Sequence, residues 1–221
     1  MRTGAAGNFD IIDLDGGLLA GDRGNDGLDF GTFQSIAFVK NVETISASAV
    51  KGRQDVTLGT DATGVSIDLG GSNTDTLHLG NFNNDAVVRD VETIFGNNGS
   101  DTINAFGAGS RMDVYGGAGN DNLVAHGNAA LVGGAGVDQL TGGTSATTFS
   151  FGTGDAVGAP GAADRITDFQ PGVDHIDLFQ YGVVGGVDTF ALGFAGEDAV
   201  LAGNAPTVGT HIDAAPTPPR Y

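Results

Sequence analysis

The chain contains no cysteine and no tryptophan, has only two methionines, and carries just nine lysines and arginines in 221 residues. Without cysteine there is no disulfide frame, no thiol nucleophile and no cysteine-based zinc site. The few basic residues are scattered, so no positive stripe exists to follow a phosphate backbone, and nucleic acid is not an expected partner. No apolar run approaches the roughly 18 residues that suggest a membrane-spanning helix, so no transmembrane segment is expected. The opening "MRTGAAGNFDIIDLDGG" also lacks the apolar core of a secretory signal peptide.

Catalytic signatures are missing as well. His78, His126, His175 and His211 stand apart and form no H-E-x-x-H pair. No G-x-S-x-G elbow is present. Glu43 and Glu92 recur at equivalent places in a repeat, which assigns them a shared structural job rather than paired acid catalysis. The chain is therefore expected not to be an enzyme.

Glycine and aspartate are abundant. There are 39 glycines without a collagen-like period of three, and of the 27 acidic residues 24 are Asp and only 3 are Glu, giving a net charge of −18. Asp is the short carboxylate that suits turns and hard-cation sites. Self-comparison shows where it is placed. Residues 21–45 align without gaps on 70–94, with 11 identities in 25 positions at an offset of 49, including Asp26/Asp75, Leu28/Leu77, Phe33/Phe82 and a shared Val-Glu-Thr-Ile.

From 96 onward a nine-residue unit takes over. "GNNGSDTIN" (96–104), "GGAGNDNLV" (116–124) and "GGAGVDQLT" (133–141) share Gly at places one and four, Asp at place six and an aliphatic at place eight. Weaker nonads without the Asp lie between them. If each nonad is a loop and a short strand, two make a coil of about 18 residues and alternate loops stack on one edge. Asp101, Asp121 and Asp138 would line that edge. Ile103, Leu123 and Leu140 would point inward from one sheet, and Val114, Leu131 and Phe149 from the other. Stacked aspartates repel one another unless a cation lies between them. Calcium suits the composition, because it accepts six to eight oxygens and mixes carboxylates with main-chain carbonyls.

These nonads resemble the calcium-binding repeat of the repeats-in-toxin (RTX) family, and "TTFSF" (147–151) followed by "DRITDFQPGVDHIDL" (164–178) resembles the segment that closes such rolls. The resemblance spans roughly 21–178. It implies an all-β, right-handed parallel β-roll or β-solenoid with a C-terminal cap, which folds on meeting extracellular calcium and is exported by type I secretion machinery through an uncleaved C-terminal signal. Carried over by place, Asp101, Asp121 and Asp138 are the side-chain ligands, and carbonyls of Gly99, Gly116, Ala118, Gly119, Gly133, Ala135 and Gly136 are co-ligands. Asp26 and Asp75 hold the sixth place in the longer modules and are candidates without a strong neighbouring loop. The cap acids Asp164, Asp168, Asp174 and Asp177 are open between a further ion and simple turn formation.

The expected organisation is an N-terminal lead-in (1–20), two duplicated solenoid modules (21–95), a calcium-binding β-roll (96–151), a capping segment (152–180) and a tail (181–221) in the secretion-signal region. Two roles fit a secreted or cell-surface protein of this kind. One is a structural or surface module, adhesin-like or surface-layer-like, that meets a cell surface or its own copies. The other is the export-and-folding module of a type I secreted protease or lipase. A carbohydrate- or ice-binding solenoid ranks last, because no face carries a regular Thr-x-Thr ladder.

Overall fold

The computed structural model describes residues 9–13, 27–29, 35–40, 42–47, 52–71, 74–107, 109, 111–152, 155 and 163–178. Asp26, most of the lead-in and the whole 181–221 tail lie outside the described residues. The chain visits two sheets in strict alternation. Its early strands are β1 (Phe9–Asp13), β2 (Gly27–Asp29), β3 (Ser35–Lys40), β4 (Thr44–Ser46), β5 (Gln54–Leu58) and β6 (Thr63–Asp68). Then come β7 (Thr76–His78), β8 (Asp85–Arg89), β9 (Thr93–Phe95), β10 (Thr102–Phe106), β11 (Met112–Ala118) and β12 (Asn122–Ala125). The last are β13 (Ala129–Ala135), β14 (Gln139–Thr141), β15 (Thr147–Phe151), β16 (Arg165–Ile166) and β17 (His175–Leu178).

Odd-numbered strands form a nine-stranded sheet and even-numbered strands an eight-stranded one, in chain order. Every named pairing is parallel, for example β10 with β8 and β12, and β11 with β9 and β13. The architecture is an all-β parallel solenoid with no helix among the described residues; none is thus long and apolar enough to cross a membrane.

Parallel sheets need both ends of every strand turned by a loop, and the short strands here alternate inward and outward side chains. The burial pattern of β5 alternates strictly, as do those of β10 and β12. Because the coils stack in register, inward residues form columns. In the odd sheet, Ile94 pairs with Val114, Val114 with Leu131, Leu131 with Phe149 and Phe149 with Ile176. In the even sheet, Ala86 pairs with Ile103, Ile103 with Leu123, Leu123 with Leu140 and Leu140 with Ile166. Ile103, Leu123 and Leu140 are fully buried, as are Leu131 and Phe149, with Val114 almost so. The two inward sets expected from the nonads therefore face each other across the core.

Outward aromatic side chains also stack from coil to coil. His78 lies 4.6 Å from Phe95, and Phe95 lies 5.0 Å from Tyr115, each nearly parallel. On the even sheet, Phe106 stacks on His126 at 4.1 Å and Arg89 sits 4.3 Å above the Phe106 ring. Two of the histidines that looked isolated in sequence are rungs in these stacks, and the offset rings add about 0.5–1.5 kcal/mol per pair.

The 49-residue duplication has an unexpected consequence. Leu28 lies in β2 and Ile45 in β4, both in the even sheet, whereas their equivalents Leu77 and Ile94 lie in β7 and β9 of the odd sheet. The repeat corresponds to an odd number of half-turns, so matching residues land on opposite walls of the solenoid.

Leu123→Ala is expected to lower stability by about 2–5 kcal/mol, the usual cost of a buried leucine cavity. Val137→Ala, at a side chain 39 % exposed in a loop, should stay within about 0.5 kcal/mol of the native value. Chemical denaturation of the two variants under identical conditions checks the contrast.

Candidate functional site

The armed loops stack on one edge, at the entry to the even-numbered strands. Asp101, Asp121 and Asp138 each stand just before their strand, and all three are at most 2 % exposed. One carboxylate oxygen of each reaches back to the coil before. Asp121 Oδ1 accepts the backbone N–H of Asp101 at 2.8 Å, and Asp138 Oδ1 accepts that of Asp121 at 2.8 Å. The column runs further than the nonads indicated. Asp164 Oδ1 accepts the N–H of Asp138 at 2.9 Å from 26 residues away. At the other end, Asp101 Oδ1 accepts the N–H of Asn84 at 2.9 Å, and Asn84 Oδ1 accepts that of Ala62 at 3.0 Å.

The second oxygen of each aspartate is treated differently. Oδ2 of Asp101, Asp121, Asp138 and Asp164 is buried with no hydrogen-bond partner. Its surroundings are defined by the glycines at place one. A Cβ built on Gly96 would lie 2.4 Å from Asp101 Oδ2 and 2.3 Å from the Gly116 carbonyl oxygen. On Gly116 it would lie 2.3 Å from Asp121 Oδ2 and 2.6 Å from the Gly133 carbonyl, and on Gly133 it would meet Asp138 Oδ2 at 2.3 Å. The loops at 96 and 116 therefore bring their own carboxylate oxygen and the next loop's carbonyl toward the space that a side chain at place one would fill, and the loop at 133 brings its carboxylate oxygen there.

The glycines at place four serve the stacking itself. Gly99, Gly119 and Gly136 have φ of 114°, 134° and 149°, and a Cβ on Gly119 would lie 2.0 Å from the Gly99 carbonyl oxygen. Only glycine combines that backbone conformation with that approach. Of the carbonyls expected as co-ligands, those of Gly116 and Gly133 lie beside the unpartnered oxygens, while those of Gly99 and Gly119 point along the stack toward the following loop. The carbonyls of Ala118 and Ala135 accept the N–H groups of Gly99 and Gly119 at 2.8 Å, binding successive loops together.

Asp75 is not brought to this edge. It stands before β7 in the odd sheet, fully buried, where its Oδ1 accepts the N–H of Gln54 at 2.6 Å and its own N–H goes to Glu92 Oε2 at 2.8 Å. That contact gives Glu92 the strand-edge role its repetition suggested. The cap acids divide in the same way. Asp168 accepts the N–H groups of Gly142 and Gly143 at 2.8 and 2.7 Å, and Asp174 accepts those of Thr147 and Gln170 at 2.9 and 2.8 Å. Both tie the cap to the coil before it, whereas Asp164 joins the column. Sequence reasoning missed Asn84, which holds place six, 17 residues before Asp101, in a loop lacking the nonad's leading glycine. It also missed Asp155, whose carboxylate accepts the N–H of Gly152.

Burial pushes these carboxyls up. Asp121 and Asp138 are raised from the ordinary 3.8 to about 7, and Asp164 to about 6; Asp101 is raised too. Desolvation is the largest cause in each case, opposed by the N–H bond from the coil before. Neighbouring carboxylates add to it: Asp138 and Asp101 act on Asp121, and Asp164 and Asp155 act on Asp138. A proton or a cation on the unpartnered oxygen removes the same penalty.

Among the described residues no group of three or more His, Cys, Asp and Glu side chains surrounds a single point. A cation on this edge must take most of its ligands from main-chain carbonyls, with one carboxylate per coil. That donor set suits calcium, which accepts carbonyl oxygens readily, and does not suit zinc, which prefers nitrogen and sulfur. No family model matches the chain, and no curated protein or solved structure does either. The resemblance to the RTX repeat rests on the nonads themselves.

Two outcomes follow from this geometry. Gly119→Ala should destabilise the stack by at least about 1–3 kcal/mol, whereas Gly71→Ala, where a Cβ meets nothing within 4 Å, should be close to neutral; thermal melts of both variants provide the comparison. With cations chelated, pH should act in the direction set by raised carboxyl pKa values. The folded state holds protons that the unfolded state releases from about pH 4 upward. The stabilisation is complete below that point and lost as pH rises through about 6 to 7, so the β-sheet signal in chelator should rise as pH falls from about 8 to 5. A β signal that falls over that interval contradicts the assignment.

Proposed function

We propose that the chain is a calcium-binding β-roll of the RTX type, a non-catalytic structural or surface module whose folding is coupled to cation binding outside the cell. The observation that carries this reading is the column of half-used carboxylates. Four consecutive aspartates each spend one oxygen on the coil before and leave the other buried without a partner. A buried polar atom without a partner costs roughly 1–3 kcal/mol, and more when charged, so four in one row point to a missing positive group.

Asp101, Asp121, Asp138 and Asp164 would hold the ions, helped by the carbonyls of Gly116 and Gly133. The bound cation supplies positive charge at the unpartnered oxygens and draws adjacent loops together. Magnesium is a poorer fit, because it demands near-octahedral geometry and keeps several of its waters, while these oxygens are buried. With a net charge of −18, the cation-free chain is also held open by self-repulsion. In a calcium-poor cytosol that keeps it loose enough for export by type I secretion machinery. At extracellular calcium concentrations the column is neutralised and the coils lock.

Calcium titration from excess chelator, followed by circular dichroism, tests the reading. A gain of β signal at a defined midpoint is expected, and a β-rich spectrum in chelator that calcium leaves unchanged would falsify coupled folding. Asp121→Ala removes the middle rung, which serves two neighbouring interloop spaces, so its midpoint should move to at least about tenfold higher calcium, equivalent to about 1.4 kcal/mol. An unchanged midpoint contradicts the stacked-loop arrangement.

A further inference from the structure

We infer that Asn84 fills the first cation position of the column with its own side-chain amide, and so fixes where the ions begin. The inference rests on the calcium reading and concerns the extent of that same site. Residues 79–84 occupy the loop that pairs, coil to coil, with 96–101, as the register of β8 with β10 and of β7 with β9 requires. Asn84 stands at place six, where the later loops have aspartate, and is 3 % exposed. Its Oδ1 does what an aspartate oxygen does in the later loops, accepting the N–H of Ala62 in the coil before. Its Nδ2 is the second branch of the side chain, the one that in the later loops ends in the unpartnered Oδ2.

That nitrogen is fully engaged. It donates to the carbonyl oxygens of Gly80 at 3.0 Å and Phe82 at 2.9 Å, and to Asp101 Oδ1 at 2.8 Å. Two loop carbonyls and a carboxylate are the same kinds of oxygen that the armed loops present to a cation. The neighbouring Asn97 amide donates to the Leu79 carbonyl, at the place corresponding to Gly96. Asparagine amides thus meet oxygens in this loop that the glycine-rich loops leave for an ion. Ala62, one coil earlier, has no polar side chain and ends the ladder. The oxygens around Nδ2 also settle the amide's orientation, since a flipped amide would set its oxygen against three others.

An aspartate at 84 would set an oxygen against those three acceptors, a stable arrangement only with a cation between them. Asn84→Asp should therefore create one further calcium site, while Asn84→Ala should remove the amide and create none. The experiment uses the full chain with calcium chloride as the probe. Bound calcium per chain is counted by native mass spectrometry, and melting temperatures are taken at a low and a high calcium concentration, both above the native chain's folding midpoint. The expected result is that Asn84→Asp folds in calcium, binds one ion more than the native chain, and shows a wider gap between its two melting temperatures. Asn84→Ala should melt lower than native in both conditions, with its gap and ion count unchanged.

An Asn84→Asp chain that folds with the native ion count, or that fails to fold even in excess calcium, overturns the inference. So does a calcium-dependent gap no wider than that of Asn84→Ala. If the native chain binds no calcium, the calcium reading falls and takes this inference with it. Native binding with no added ion in Asn84→Asp removes this inference alone.

Discussion

One edge of the solenoid depends on one interaction, the bond from a place-six carboxylate to the backbone N–H of the same place one coil earlier. A parallel stack of short strands has exposed amides wherever the chain leaves the ladder to turn, and those amides cannot be left buried without acceptors. Asn84, Asp101, Asp121, Asp138 and Asp164 supply the acceptors. Because the bridge takes one oxygen from each side chain, the other is carried into the interior. What looks like a binding motif begins as a solution to a backbone problem, and a buried oxygen without a partner is its by-product. The opposite edge meets the same need differently. There, Asp75 and Glu92 receive N–H groups from the coil before, and further along the edge main-chain carbonyls do so, as where Asn128 accepts the N–H of Met112.

The glycines follow from that arrangement rather than from any need for a flexible loop. At place one the carboxylate folds back over the Cα and occupies the volume of a side chain. At place four the backbone turns through positive φ and meets the carbonyl of the loop before it. Each glycine is therefore tied to a particular oxygen. Where the carboxylate is replaced by an amide, the tie at place one relaxes, and the loop starting at Leu79 carries a leucine there. The change from "GG" to "LG" in sequence and the change from Asp to Asn five residues later belong together.

Much of this is legible in the sequence. Period-two patterning placed Ile103, Leu123, Leu140, Val114, Leu131 and Phe149 in the core, because a strand this short and this buried leaves its side chains only two directions. The nonad spacing put Asp101, Asp121 and Asp138 in one column for the same reason. Asp75 was harder to place. Its equivalence to Asp26 spans 49 residues, and identity of sequence cannot reveal whether that interval is an even or odd number of half-turns. Asp164 was recognised as a cap acid, not as a rung, because the excursion before it stretches the coil to 26 residues and hides the period. Asn84 is hidden in the sequence because it is not a carboxylate, whereas the structural requirement at place six is an acceptor oxygen, which an amide also has.

That distinction separates two properties which the aspartates combine. Stacking needs only the first oxygen, and any Asx side chain provides it. The second is the buried atom without a partner, and in an amide it becomes a donor instead. A column of asparagines would leave no such oxygen; a column of aspartates leaves one at every rung. The chain uses both, with Asn84 at the N-terminal end of the ladder and aspartates through the rest. Its N-terminal rung is satisfied by its own amide, while the rungs from Asp101 onward each keep a buried oxygen without a partner. In a solenoid each coil contacts only its neighbours. Under the calcium-binding reading proposed above, a self-satisfied rung next to a series of unsatisfied ones would give cation-driven stacking an edge from which to proceed toward Asp164 and the cap.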